Sequence, residues 1–207
     1  ACAPYRRLHL CSHNLESIQT KNYNSSNAKH DLLAEVCMAA KYEGASLQGY
    51  YAQHHTDNSG STICTVLARS FADIGDIIRG KDLFLGNTYE SAQRDKLEQK
   101  LKDIFGKIHE GLTTTNGEAA KKRYNDDTPD YYQLREDWWE LNRETVWKAI
   151  TCGAHGTYFR KTCNDDGTSS NANHKCRCKK KNNTPDDQVP TYFDYVPQFL
   201  RWFEEWA

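Results

Sequence analysis

The chain has 207 residues, with 27 Lys and Arg against 28 Asp and Glu and a formal net charge of -1. That balance excludes a globally basic nucleic-acid binder and an acidic disordered tail. No apolar run approaches the roughly 18 to 20 residues that a membrane span needs.

The opening Ala-Cys-Ala-Pro-Tyr-Arg-Arg has no apolar core of a signal peptide, so the chain reads as cut from something larger. A polar Asn/Ser segment, Asn22 to Asn27, precedes a first helix built on Leu32, Leu33, Val36, Ala39 and Ala40. Gly44 and Gly49 weaken its C-terminal half. Ser61 or Thr62 caps a second helix, with Ile63, Val66, Leu67, Phe71, Ile74 and Ile78 on one face and Gly80 as its stop. A third starts near Ser91, carries Leu97, Leu101, Ile104, Phe105 and Ile108 at spacings of three and four, and ends at Gly111. Residues 113–130 read as a loop holding the basic knot Lys121, Lys122 and Arg123, with Asp126 and Asp127 directly behind. A fourth helix spans about Asp130 to Thr151, with Leu134, Trp138, Leu141, Thr145 and Val146 inward. Residues 152–190 are polar, Cys-rich and irregular. The last helix begins near Val196 with Pro197 in its first position. Its apolar stripe is Val196, Phe199, Leu200, Phe203 and Trp206. No stretch alternates convincingly with period two, so the expectation is an all-α bundle of long helices with disulfide-pinned loops.

Aromatic residues make up 12% of the chain, enough for a bulky core in a polar sequence. Trp138-Trp139 and Trp202-Phe203-Trp206 read as core rather than sugar-stacking platforms. Eight Cys against one Met read best as four disulfides in an oxidising compartment, joining Cys2, Cys11, Cys37, Cys64, Cys152, Cys163, Cys176 and Cys178 in an order that spacing leaves open. If the first two long helices form an antiparallel hairpin, Cys37 and Cys64 lie roughly 25 Å apart at 1.5 Å per residue. Bridged Cα atoms need roughly 4.4–6.8 Å, so those two do not pair. Cys163, His174, Cys176 and Cys178 are the most metal-like cluster, but Cys-Arg-Cys places one residue between thiols where zinc knuckles use two. Adjacent bridges explain the spacing, and no metal or other cofactor is expected.

Catalysis has little support. Glu136 and Asp137 are helix neighbours that point different ways, and Glu140, Arg143 and Glu144 form an ordinary solvated face. There is no phosphate loop, no Gly-x-Ser-x-Gly and no His-Glu-x-x-His. His54-His55 reads as a surface pair. Binding has more support. Lys175, Arg177, Lys179, Lys180 and Lys181 form a run without an acid, stiffened by two Cys inside it, and such a patch suits polyanionic glycans. Asp165, Asp166, Asp186 and Asp187 flank the run and compete for its charges. Lys121, Lys122 and Arg123 are a second, smaller candidate. Asn24 and Asn182 head glycosylation sequons, the second followed by Pro185.

Several blocks carry a resemblance. They are Cys-Ala-Pro-Tyr-Arg-Arg-Leu-His-Leu-Cys at residues 2–11, Ala-Arg-Ser-Phe-Ala-Asp-Ile-Gly-Asp-Ile at 68–77, and Arg-Glu-Asp-Trp-Trp at 135–139. To these add Tyr-Phe-Arg-Lys-Thr-Cys at 158–163, Cys-Arg-Cys at 176–178 and VPTYFDYVPQFLRWFEEW at 189–206. The chain resembles the Duffy-binding-like domain family, in the alpha class that heads the Plasmodium falciparum erythrocyte membrane protein 1 variant surface antigens. The resemblance implies that residues 1–30 close a first subdomain and form an irregular linker, and that 31–207 are the helical second subdomain with its Cys-rich loop at 152–190. It implies adhesion on the extracellular face of the infected red cell, as part of a membrane-anchored parent chain. Implied partners are host erythrocyte or endothelial receptors, among them heparan sulfate-like glycans, blood-group sugars, complement receptor one or another protein receptor, and host antibodies. Rosetting and cytoadherence are the implied roles. Phe71, Trp138, Trp139 and Trp202 are then scaffold, and recognition is expected in the charged loops around 113–128 and 164–188.

Overall fold

The longest apolar stripes of the sequence become the longest helices of the protein. The computed structural model describes residues 2–54, 61–115, 117–165, 168–172, 175–179 and 186–207. In chain order these hold helices α1 (Tyr5–Leu8), α2 (His13–Glu16), α3 (Ala28–His54), α4 (Ser61–Arg79), α5 (Thr88–Thr115), α6 (Gly117–Arg123), α7 (Tyr132–Ile150) and α8 (Gln198–Trp206). Single 3-10 turns stand at Thr20–Asn22 and Phe193–Tyr195. The strands β1 (Cys163–Asp165) and β2 (Thr168–Ser170) pair antiparallel, Cys163 opposite Ser170, as a small hairpin on an otherwise α-helical fold.

α4 is the axis of the molecule. Leu67, Phe71, Ile74 and Ile78 are all buried, as their spacing predicts. Phe71 sits against two indoles, with centroids 5.1 Å from Trp139 and 5.2 Å from Trp147. Trp138, Trp139 and Trp202 are core. Asn24 turns the chain into α3 by accepting the backbone N–H groups of Ser26 and Asn27 at 3.1 and 3.0 Å, a helix-starting role for the first residue of the sequon. Asn182 lies outside the described residues.

Gly44 marks a close crossing of α3 and α7, where a Cβ would stand 2.0 Å from the carbonyl oxygen of Ile150. It admits α7 rather than weakening α3. Gly44→Ala is therefore expected to lower stability by about 1–3 kcal/mol or more, as overpacking does. Gly49→Ala, where a Cβ meets nothing within 4 Å, should instead gain roughly 0.5–1 kcal/mol of helix propensity. Urea midpoints of the two variants decide between these accounts, and equal shifts would dismiss the crossing.

Four expectations need correcting. α5 runs through Gly111 to Thr115, because Gly111 lets the Ser25 carbonyl approach to 2.1 Å of where a Cβ would stand. Most of the expected loop at 113–130 is then helix, and Lys121, Lys122 and Arg123 form the last turn of α6. On α7, Leu141 is 82% exposed and Thr145 also faces out. Trp138 packs on Phe105 of α5, but the later turns bury Arg143, Val146, Trp147 and Ile150 toward α3 and α4, so the buried arc rotates along the helix. α8 is reversed: Gln198, Arg201 and Trp202 are buried while Phe199, Leu200, Phe203 and Trp206 are exposed. The cause lies on α4, whose buried Asp73 accepts from Gln198 Nε2 at 3.1 Å and from Arg201 at 2.8 Å.

Candidate functional site

The Cys-rich segment is held to the helices at several points. Cys64 at the start of α4 is bridged to Cys176, and Cys163 at the start of β1 to Cys178. Three thiols of the metal-like cluster are consumed in these bridges, which removes the zinc reading. His174 lies outside the described residues, as does His55. The expected four bridges become two among the described residues: Cys2, Cys11, Cys37 and Cys152 are unbridged. Cys11 faces Glu43 on α3, and burial with that carboxylate pushes its thiol up to about 11. Cys37 is some 9 Å further along the helix axis at 1.5 Å per residue, too far for a bridge to a thiol at that level.

The indole of Trp147 donates to the Cys176 carbonyl at 3.1 Å, and the Cys176 N–H reaches the Gly156 carbonyl. Lys175 and Cys176 both have positive φ, 25° and 52°. Lys175 is exposed at this turn, with no partner among the described residues. Arg177 is not displayed. Its guanidinium turns back to α7, donating to the Lys148 carbonyl at 2.9 Å and to Thr151 Oγ1 at 3.3 Å, where it covers one open carbonyl of the helix end. Lys179 is half-buried, also without a partner among the described residues. Lys180 and Lys181 lie outside the described residues. Of the flanking acids, Asp187 binds Lys148 at 2.8 Å. Asp166 lies outside the described residues.

The second candidate divides in the same way. Arg123 makes a two-pronged pair with Asp137, at 2.5 and 2.6 Å, and Tyr124 Oη donates to the same carboxylate at 2.8 Å. The hydrogen bonds from Arg123 hold Asp137 below the usual carboxylate range. Lys121 and Lys122 remain exposed. Asp127 does not offset them, because its two oxygens accept the Gln133 and Leu134 N–H groups, both at 2.7 Å, and cap the start of α7. The two basic clusters are anchored to α7 at residues 137 and 148, about 16 Å apart along its axis. They form two separate patches.

A buried charge lattice went unread in the sequence, and Arg143, expected on a solvated face with Glu140 and Glu144, is buried as part of it. Asp73 is fully buried between Arg6 and Arg201, each at 2.8 Å. Asp76 takes Arg79 at 2.9 Å and also binds Arg201. Burial pushes Asp73 up, but Arg6, Arg201 and Arg7 outweigh it and hold the carboxyl below its ordinary value. For Asp76 burial wins, and its carboxyl is pushed up to about 6. Arg143 grips Asp194 through two nitrogens, each at 2.8 Å, and fixes the 3-10 turn against α7. The only signal in the sequence was the pairing of acids and arginines at inward helix positions.

A family model described as the Duffy binding domain matches residues 1–201. The chain belongs to the Duffy binding domain family. Among solved structures, it is 46% identical to the NTS-DBL1(alpha-1) domain of Plasmodium falciparum membrane protein 1 from the varO strain. That similarity covers 100% of this chain and 43% of the other, with a TM-score of 0.77. The ICAM-1-binding DBLbeta domain of another P. falciparum membrane protein 1 is 34% identical over 97% of this chain and 41% of its own, with a TM-score of 0.70. A further DBL-beta domain, solved bound to human ICAM-1, is 32% identical over 97% of this chain and 38% of its own, with a TM-score of 0.68. No curated protein matches the chain. This Duffy binding domain chain thus spans less than half the length of these structural relatives, and no helix among its described residues is long and apolar enough to cross a membrane.

Proposed function

We propose that the chain is a host-receptor-binding adhesion module of a parasite surface antigen. In this reading it stands on the extracellular face of the infected erythrocyte, within a membrane-anchored parent protein, and serves cytoadherence or rosetting without catalysis. Residues 1–30 belong to the end of one subdomain and 31–207 to a helical second. The finer assignment is capture of sulfated or other acidic host glycans by Lys175, Lys179, Lys180 and Lys181, with Lys121 and Lys122 as a separate contact. Arg177 and Arg123 position these segments rather than meeting the ligand.

The observation that carries the assignment is the anchoring of residues 175–179. Two bridges, the Trp147 indole and the Arg177 guanidinium hold the backbone while Lys175 points to solvent. Charges on a fixed backbone lose less freedom on binding than charges on a loose loop. Heparin oligosaccharides titrated across a salt series test it. Affinity should fall as salt rises, because exposed charge pairs are screened, and Lys179→Ala, Lys180→Ala and Lys181→Ala together should weaken binding by about tenfold or more. Unchanged affinity in that triple variant removes the assignment.

A second reading is a protein receptor, favoured by the exposed Phe199, Phe203 and Trp206 along α8. Aromatics of this kind anchor protein interfaces, and two of the relatives are described with ICAM-1. Weak salt dependence together with sensitivity to Phe203→Ala would select it.

A further inference from the structure

Among the described residues, every arginine but one has a partner. Arg6, Arg7, Arg79, Arg94, Arg123, Arg135, Arg143, Arg160 and Arg201 all have carboxylate partners. Arg177 donates to Thr151 and to a carbonyl. Arg69 has no acceptor among the described residues, and its Nε is closed off from solvent. The nearest turn of α4 offers Asp73, but that carboxylate is already held by Arg6 and Arg201.

Arg69 lines a cavity of about 710 Å³ whose walls include Tyr5, Leu47, Val66 and Phe159. Three acids share the cavity, and each is engaged. Glu43 accepts Ser70 Oγ at 2.6 Å and the Cys11 N–H at 2.9 Å. Glu205 takes two nitrogens of Arg6, at 3.0 and 2.9 Å. Glu204 stands half-exposed, 4.0 Å from Arg160. Among the described residues, the group without an acceptor is therefore a half-buried guanidinium flanked by aromatic and aliphatic walls, and a carboxylate meeting the exposed part of that side chain gains a charge-assisted hydrogen bond in a partly desolvated place.

We propose that this cavity docks an acidic-aromatic segment of a protein partner. An Asp or Glu carboxylate of the partner pairs with Arg69, and a neighbouring aromatic or aliphatic side chain packs against Tyr5, Val66 and Phe159. The apolar walls favour a peptide side chain over a sugar, whose many hydroxyls need several polar partners around them. None of the lysines assigned to glycan capture lines the cavity, so the proposal is tested independently of that assignment.

The test uses acetyl-Phe-Glu-amide, with acetyl-Phe-Gln-amide as its uncharged control, followed through the Arg69 Nε–H resonance by NMR. The Glu peptide should move that resonance with a Kd on the order of 1 mM, a reasonable affinity for so small a ligand. The Gln peptide should bind about tenfold or more weakly. Arg69→Gln should abolish the response, and Phe159→Ala, at a half-exposed side chain, should reduce it severalfold in a protein whose other resonances stay in place. Equal responses to the two peptides, or no response well above 1 mM, overturn the proposal. So does an Arg69 shift produced by N-acetylneuraminic acid and not by the peptides, which reassigns the cavity to an acidic sugar. Loss of the response in a longer version of the protein overturns it too, because the cavity is then covered by the protein's own chain.

Discussion

Asp73→Asn is expected to lower stability by about 3–5 kcal/mol at neutral pH, the usual cost of removing one partner from a buried ion pair. The neutral amide leaves Arg6 and Arg201, both nearly inaccessible, facing each other with one carboxylate fewer. It also weakens the ties of Gln198 and Trp202 to α4, since both donate to Asp73 Oδ1. α8 therefore loosens first, and amide exchange in residues 198–206 should accelerate beyond the change in the α3–α7 core. Combining Asp73→Asn with Arg201→Gln should cost less than the sum of the two single changes, because one repairs the charge the other exposes. Strict additivity in urea unfolding would mean the lattice is incidental.

The pH dependence of that penalty has a definite sign. Asp73 is held below its ordinary value in the fold, so it contributes stability that is fully present above about pH 4 and is lost as pH falls further, through the folded value. Asp73's own share of that cost should be constant from neutral pH down to about 4 and shrink below it. Asp76 runs the other way. With its folded value raised to about 6, its contribution is present in acid and fades as pH rises from about 4 through about 6. Its neighbour's charge is part of what raises it, so Asp73→Asn should also move the Asp76 titration down, which carboxyl NMR reads directly.

The helices were legible where apolar residues face the core without competition. Leu67, Phe71, Ile74 and Ile78 on α4 and Leu97, Leu101, Ile104, Phe105 and Ile108 on α5 are buried as their spacing implies. Periodicity misled on α8 because it assumes that the apolar stripe turns inward. The buried carboxylates of Asp73 and Asp76 reverse that rule, drawing Arg201 and Gln198 to the interior and leaving Phe199 and Phe203 in solvent. Gly44 read as a weakening and Gly111 as a stop because glycine lowers helix propensity, whereas the deciding fact was a carbonyl from a distant segment. The basic run was visible as a run, but not that Arg177 would cap α7 while Lys175 stayed exposed. That division depends on where two disulfides place the backbone, and eight Cys do not announce their partners.

The Cys64–Cys176 bridge offers the second large effect and bears directly on that division. It closes a sequence separation of 112, against 15 for Cys163–Cys178. If restraint of the unfolded chain dominates, replacing Cys64 and Cys176 together by Ala should cost about 4–5 kcal/mol and replacing Cys163 and Cys178 about 3 kcal/mol. The two losses carry different consequences for the surface. Opening the long bridge frees the segment from the start of α4, yet the Trp147 indole and the Arg177 guanidinium still hold it to α7. Opening the short one releases Cys178 from β1 on the far side of Arg177, next to Lys179. Heparin affinity, measured where each variant remains folded, should therefore fall more for the short bridge even though stability falls more for the long one. Parallel losses in both measurements would mean that the segment is ordered as one unit, and that the lysines owe their placement to the whole fold rather than to the nearer disulfide.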